Sequence, residues 1–102
     1  MITIKCSTES HIDLDLETLK GVNLSGLNLH RALLASENLS GSVLVGTNLR
    51  CAELEHADLN HANLSEANLI QSYLKGANLA DCKGIAEADF SGALFDEHTK
   101  LP

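Results

Sequence analysis

The sequence predicts an all-β fold, a solenoid in which a short extended segment turns after every five residues. Three observations predict it. Fourteen leucines recur at a strict spacing of five, a small residue often stands two places before the leucine, and Asn or Asp fills the place between. Seven of the eight asparagines lie in that one slot. The leucines are residues 14, 19, 24, 29, 34, 39, 44, 49, 54, 59, 64, 69, 74 and 79.

A period of five fits neither an α-helix nor a straight strand. In a helix, a step of five residues rotates the side chain by roughly 140°, so the leucines would spiral around every side. In a strand, side chains alternate between faces, so successive leucines would point in opposite directions. Only a chain that turns after each repeat buries them all. Such coils stack through backbone hydrogen bonds at a spacing of about 4.8 Å.

The repeats resemble the pentapeptide-repeat family, whose motif reads A(D/N)LXX. Ala57–Leu59, Ala62–Leu64 and Ala67–Leu69 match the motif outright, and the resemblance extends over residues 12–95. It implies a right-handed quadrilateral β-helix with four repeats per coil, and therefore about four coils. The leucine and the preceding small residue would point inward, and the other three positions would face water.

Twenty-residue stacking predicts four inner columns and three segments. The columns are Leu14, Leu34, Leu54, Leu74, Phe95; Leu19, Leu39, Leu59, Leu79; Leu24, Leu44, Leu64, Ile85; and Leu29, Leu49, Leu69, Phe90. The pattern slips once, which predicts a one-residue insertion within 80–85, where Gly84 suits a bulge. Residues 1–11 are predicted to cap one end, residues 12–95 to form the solenoid, and residues 96–102 to cap the other end.

The charge and the cysteines limit the partners. Fourteen acidic residues against seven Lys and Arg give a formal net charge of −7, which argues against direct binding to nucleic acid. The charge is compatible with a basic partner or simply with solubility. Cys6, Cys51 and Cys82 form neither a disulfide framework nor a CxxC metal motif. With no signal-peptide core and no membrane span in the sequence, we expect a location in the reducing cytoplasm. We also expect no cofactor.

Few polar residues form a pattern that points to chemistry. Glu17 and Glu37 occupy the small inward slot; either both segments twist outward, or two buried carboxylates share a proton. Cys51 is expected on the surface, stacked over Arg31. Either the nearby cation lowers the pKa of Cys51, or Cys51 is a simple surface thiol. We find no arrangement of nucleophile, base and orienting group, and no loop insertion that would wall a pocket. The sequence therefore predicts a protein that is not an enzyme.

Two hypotheses for function remain. The first is a binding or scaffold module whose partner is a protein, either foreign or a second copy of the chain. Its contact face would be the outward column Leu33, Glu53, Tyr73 and Leu94, with Ile70 at its corner. Three apolar residues in an otherwise polar slot favour this face.

The second hypothesis is a mimic of DNA that acts on DNA gyrase, as the resemblance implies for some family members. The acidic charge favours it, and the short rod of roughly 20 Å opposes it.

Overall fold

A computed structural model describes all residues, Met1–Pro102, and its backbone forms four ladders of parallel bridges. Each ladder joins four positions, and successive ladders begin five residues apart along the chain. The molecule measures 32 × 25 × 22 Å. The ladders are Asn23, Val43, Asn63, Lys83; Asn28, Asn48, Asn68, Asp89; Leu33, Glu53, Tyr73, Leu94; and Asn38, Asp58, Asn78, Lys100.

One repeat shows how five residues make a strand and a corner. The N–H of Glu53 donates to the carbonyl of Ala32 at 2.9 Å in the preceding coil, and the N–H of Leu54 donates to the carbonyl of Tyr73 at 2.9 Å in the next. The N–H of Ala57 then donates to the carbonyl of Leu54 at 3.0 Å and closes the corner. The backbone groups are therefore paired along the stack, and the leucine side chain is left free to fill the interior.

The core consists of the predicted leucines. Thirteen of the fourteen, from Leu19 to Leu79, are buried, and most of them are completely shielded from solvent. Small residues from the slot two places earlier complete the interior, including the buried Ser42, Thr47 and Ser72. Each buried leucine side chain stabilises the fold by roughly 1.5–3 kcal/mol. Leu14 is the exception: it is only half-buried, because it belongs to a different element.

The N-terminal end is covered by a hairpin. Strand β1 (Ile2–Lys5) pairs with strand β2 (His11–Leu14) in antiparallel register, with Ile4 opposite Ile12. The hairpin also joins the solenoid, since the N–H of Leu33 donates to the carbonyl of Lys5 at 2.7 Å. Ile4 is buried in the core. Residues 12–14, which the repeat pattern assigned to the solenoid, therefore belong to the second strand of the hairpin.

The register changes near the C-terminus, slightly later than the sequence predicted. Lys83 still pairs with Asn63, twenty residues earlier, whereas Asp89 pairs with Asn68, twenty-one residues earlier. The additional residue therefore lies between Lys83 and Asp89, where Ile85–Glu87 forms a 3-10 turn. Gly84 has a φ of +75° and lies against Ser65 so closely that no Cβ would fit.

A second additional residue follows, which the sequence did not reveal. Lys100 pairs with Asn78, twenty-two residues earlier, and the N–H of Thr99 closes a turn on the carbonyl of Asp96 at 3.1 Å. The ladder thus extends past residue 95, where the sequence placed the end of the solenoid. Phe95, predicted to lie inside, is 40% exposed.

Glu17 and Glu37 both lie on the surface with exposed side chains. The side chains face solvent, as in the first of the two predicted alternatives, but the backbone at Glu37 keeps a regular corner. Its N–H donates to the carbonyl of Leu34 at 3.1 Å, and its carbonyl accepts the N–H of Asp58 at 2.9 Å. The second alternative, two buried carboxylates that share a proton, is therefore wrong.

Candidate protein-interaction face

The structure brings the predicted outward column onto one ladder. Leu33 pairs with Glu53, Glu53 with Tyr73, and Tyr73 with Leu94. Leu33, Tyr73 and Leu94 are exposed by 43%, 40% and 45% respectively, although all three are large and largely apolar. Ile70 lies half-buried at the neighbouring corner. We call Leu33, Glu53, Tyr73 and Leu94 the apolar ladder.

Backbone hydrogen bonds fix the spacing of these side chains. The N–H of Tyr73 donates to the carbonyl of Ala52 at 3.0 Å, and the N–H of Leu94 donates to the carbonyl of Ser72 at 2.9 Å. The residues on either side of Leu33, Glu53 and Tyr73 are buried in the core, so these three ladder residues point outward. The apolar ladder therefore has a fixed backbone spacing along one face of the molecule.

The outward positions beside the leucines elsewhere are mostly polar and make local hydrogen bonds. In nine repeats the Asn or Asp side chain accepts the N–H of the residue two places later, which caps the corner. One such bond joins Oδ1 of Asn68 to the N–H of Ile70 at 3.0 Å. The nine residues are Asn23, Asn28, Asn38, Asn48, Asp58, Asn63, Asn68, Asn78 and Asp89.

A smaller pair of apolar side chains outside the core, Val43 and Val45, is half-buried, and Val43 belongs to another ladder. It offers less exposed apolar surface than the apolar ladder does. The structure does not bring the two clusters onto one ladder.

The three cysteines are free and differ in environment. Cys6, which directly follows strand β1 in the hairpin, is buried. The thiol of Cys82 donates to the carbonyl of Leu59 at 2.8 Å, and burial raises its pKa to about 11. Cys51 is partly exposed, and its Sγ lies 3.8 Å from Oε1 of Gln71.

A shallow groove of about 340 Å³ at the corner next to the apolar ladder contains Cys51 and Arg31, as predicted for that pair. His30, Arg50 and the amide side chains of Asn48 and Gln71 also line it. Sequence reasoning missed His30 and Arg50 as a pair. The sequence did contain a signal for this pair. His30 and Arg50 each directly follow a repeat leucine and are twenty residues apart, so they are expected to stack.

Histidines form exposed pairs with acids. His11 lies 3.5 Å from Asp13, His61 lies 3.9 Å from Asp81, and His98 lies 3.6 Å from Glu97. No group of three or more His, Cys, Asp or Glu side chains is arranged to hold a metal ion. No helix of the chain has the length and apolarity needed to cross a membrane.

Two aspartates near the C-terminal end have lowered pKa values. Ser91 donates to Asp89 from its hydroxyl and its N–H, which holds the pKa of Asp89 below its usual range. Partial desolvation raises the pKa of Asp96, but hydrogen bonds from Gly76, His98 and Thr99 outweigh this and leave it lowered. Both carboxylates act as hydrogen-bond acceptors that hold corners closed.

Stacked short strands, corners every five residues and a leucine-filled interior define a repeat protein of the β-solenoid class. The family described as pentapeptide repeats matches residues 18–49, 28–65 and 62–97, in eight copies. The chain belongs to the pentapeptide-repeat family, and its fold is a right-handed β-helix.

Solved structures of other pentapeptide repeat proteins are similar to the chain. One from the cyanobacterium Cyanothece 51142 is 28% identical, with 97% of this chain and 78% of that chain covered and a TM-score of 0.49. One from the thylakoid lumen of Arabidopsis thaliana is 26% identical, with 82% and 70% covered and a TM-score of 0.38. One from Nostoc PCC 7120 is 33% identical, with 84% and 66% covered and a TM-score of 0.36. No curated protein matches the chain.

Proposed function

We propose that the chain is a non-enzymatic module that binds another protein through the apolar ladder. The observation that carries the proposal is the exposure of Leu33, Tyr73 and Leu94 on one ladder, in a slot that is otherwise mostly polar. Exposed apolar clusters next to polar residues tend to mark interaction sites, and Tyr is a favoured anchor.

The geometry of the ladder favours binding. Its backbone is held by hydrogen bonds of 2.7–3.0 Å on every rung, so little backbone freedom is lost when a partner docks. Glu53 lies between Leu33 and Tyr73 and supplies a charge in the middle of the face. The preferred partner is a flat protein surface with apolar residues and one basic or hydrogen-donating group opposite Glu53.

We propose the cytoplasm as the location, because three unpaired cysteines suit a reducing compartment. The partner is either a foreign protein or a second copy of this chain. Direct binding to nucleic acid is opposed by the net charge of −7. We also propose that the four ladders close into four-sided coils, about four in number, since each ladder joins four positions.

The acidic charge supports a second candidate, a protein that imitates the DNA duplex and acts on DNA gyrase. The longest dimension is 32 Å, which equals only about nine base pairs at 3.4 Å each. An apolar ladder and a pair of arginines also interrupt the acidic surface. The binding module is therefore the first candidate. A supercoiling assay with purified gyrase tests the second: unchanged supercoiling at a large excess of the protein removes it.

The experiment for the first candidate is a double change, Leu33→Ser with Tyr73→Ser. Its matched control, Val43→Ser with Val45→Ser, removes two apolar side chains away from the apolar ladder. Light scattering measures self-association, and affinity capture with mass spectrometry compares partners. Loss of a complex in the first variant and its retention in the control support the proposal. Unchanged mass and unchanged partners in the first variant, with the fold intact by circular dichroism, would remove the apolar ladder from consideration.

A further inference from the structure

The corner that borders the apolar ladder carries both arginines of the chain. Arg31 and Arg50 lie on neighbouring coils, where the N–H of Arg31 donates to the carbonyl of Arg50 at 2.9 Å. Their side chains line the groove of about 340 Å³ together with His30. Three groups able to carry positive charge therefore meet at one place on an acidic molecule.

The two guanidinium charges have no internal counterpart. No Asp or Glu lines the groove, and the three ion pairs of the molecule all involve histidines other than His30. Fourteen acidic residues are present, yet neither guanidinium pairs with one. Like charges on neighbouring rungs destabilise a sheet. An anion in the groove would relieve the repulsion, and a ligand that binds the folded state stabilises it.

We propose that this groove binds a phosphoryl group, with Arg31 and Arg50 as its ligands and His30 as a further donor. Guanidinium groups donate paired hydrogen bonds to phosphate oxygens. A phosphoryl group carries about −1.5 to −2 charges at neutral pH, which matches two arginines better than a single carboxylate does. The net charge of −7 repels an extended polyanion, so the ligand is one compact anion.

The test follows the side-chain nitrogen resonances of both arginines by NMR while inorganic phosphate is added at constant ionic strength. Saturable shifts are expected in the parent, and binding at least tenfold weaker is expected in Arg50→Gln and in Arg31→Gln. Lys75→Gln, which removes one exposed positive charge outside the groove, is the matched control and should bind as the parent does. Arg50→Lys should fall between, because a lysine cannot form the paired bonds.

Two further arms separate the source of the phosphoryl group. A phosphoserine tripeptide that binds more tightly than inorganic phosphate indicates a phosphorylated side chain, and equal affinity indicates free phosphate; both outcomes support the site. Acetate at the same ionic strength is the monoanion control. Equal shifts with acetate, or equal phosphate binding by the parent and Arg50→Gln, would overturn the proposal. Ladder amide resonances report whether each variant is folded.

Discussion

The two ends of the solenoid protect their edges in different ways. At the N-terminal end, the β1–β2 hairpin lies against the first coil and buries Ile4 and Cys6, which are 2% and 7% exposed. At the C-terminal end, the last coil leaves Phe95 and Leu101 exposed by 40% and 55%. An open sheet edge is a template for pairing with other chains, so proteins cover it or interrupt it.

The difference lies in chain direction and in polar capping. The hairpin runs antiparallel to the first coil, with Cys6 bridged to Ala32, and so it ends the parallel ladder by reversing it. The C-terminal end keeps the parallel direction up to Lys100 and closes its last corner around the Asp96 carboxylate. Apolar burial thus holds the first end, and hydrogen bonds to a charged group hold the second.

The largest expected contrast between the ends concerns apolar truncation. Ile4→Ala should lower the free energy of unfolding by about 2–5 kcal/mol, as for other buried isoleucines, and Leu59→Ala in the middle of the stack should cost a similar amount. Phe95→Ala should cost less, about 1–2 kcal/mol, because Phe95 is 40% exposed and a partly exposed side chain loses less burial than a fully shielded one. Its ring lies 6.0 Å from that of Phe90 between centroids. Urea unfolding of the three variants measures this. Equal losses for Ile4→Ala and Phe95→Ala would show that the C-terminal end is as well packed as the hairpin.

A smaller contrast is expected between two glycines. Gly26, near the first end, and Gly84, near the second, have φ values of +71° and +75°, so an alanine at either place adopts a strained backbone. A Cβ at Gly26 meets nothing within 4 Å, whereas a Cβ at Gly84 meets the backbone of Ser65. Gly84→Ala should therefore cost about 1–3 kcal/mol more than Gly26→Ala. Thermal unfolding compares them, and equal costs would mean that the coil shifts freely at Ser65.

The sequence predicted the interior better than the corners and the ends. The inward direction of leucines 19–79 follows from a strict period, because only one way of turning buries all of them. The corners could also have been predicted from the glycines. Gly21, Gly26 and Gly41 each stand two places after a leucine, and that place has positive φ throughout the regular coils, including non-glycine residues such as Arg31.

The ends could not be predicted because their repeats are imperfect. Leu14 continues the five-residue spacing, yet pairing with Ile2 in an antiparallel strand decides its place. The turn at Asp96–Thr99 adds a residue that no apolar position marks, since Lys100 is a polar ladder residue. The arginine groove depends on which corners become neighbours, and that requires the twenty-residue stacking rather than the five-residue motif.

Acid should loosen one end selectively. The first corners of the solenoid are capped by Asn23 and Asn28, which do not titrate, whereas Asp89 and Asp96 cap the last ones. Because the pKa of Asp96 is lowered in the folded state from 3.8, its stabilisation is present above pH 3.8 and is lost as the pH falls through the lowered value.

NMR of the backbone amides between pH 5 and pH 2 measures this loss. The amides of Gly76 and His98, which donate to Asp96, should shift with a midpoint below 3.8. The amide of Ala80, which donates to Asn78, is the matched control and should not follow that titration. A midpoint at or above 3.8 would show that the Asp96 bonds do not favour the charged form.

The last contrast affects reactivity rather than stability, and concerns the two cysteines nearest the ends. Cys6 is shielded by the hairpin, so a thiol reagent reaches it only when the hairpin opens. Cys82 is half-buried, but burial raises its pKa to about 11, so the thiolate that reacts is scarce. Cys51, which is partly exposed at its corner, should be labelled first.

Ile4→Ala should speed the labelling of Cys6 and leave Cys82 unchanged. Raising the pH from 7.5 to 9 should speed Cys82 by about thirtyfold, since the thiolate fraction rises tenfold per pH unit below the pKa. Mass spectrometry after timed labelling resolves the three sites, and labelling of Cys82 as fast as that of Cys51 at pH 7.5 would contradict the raised pKa.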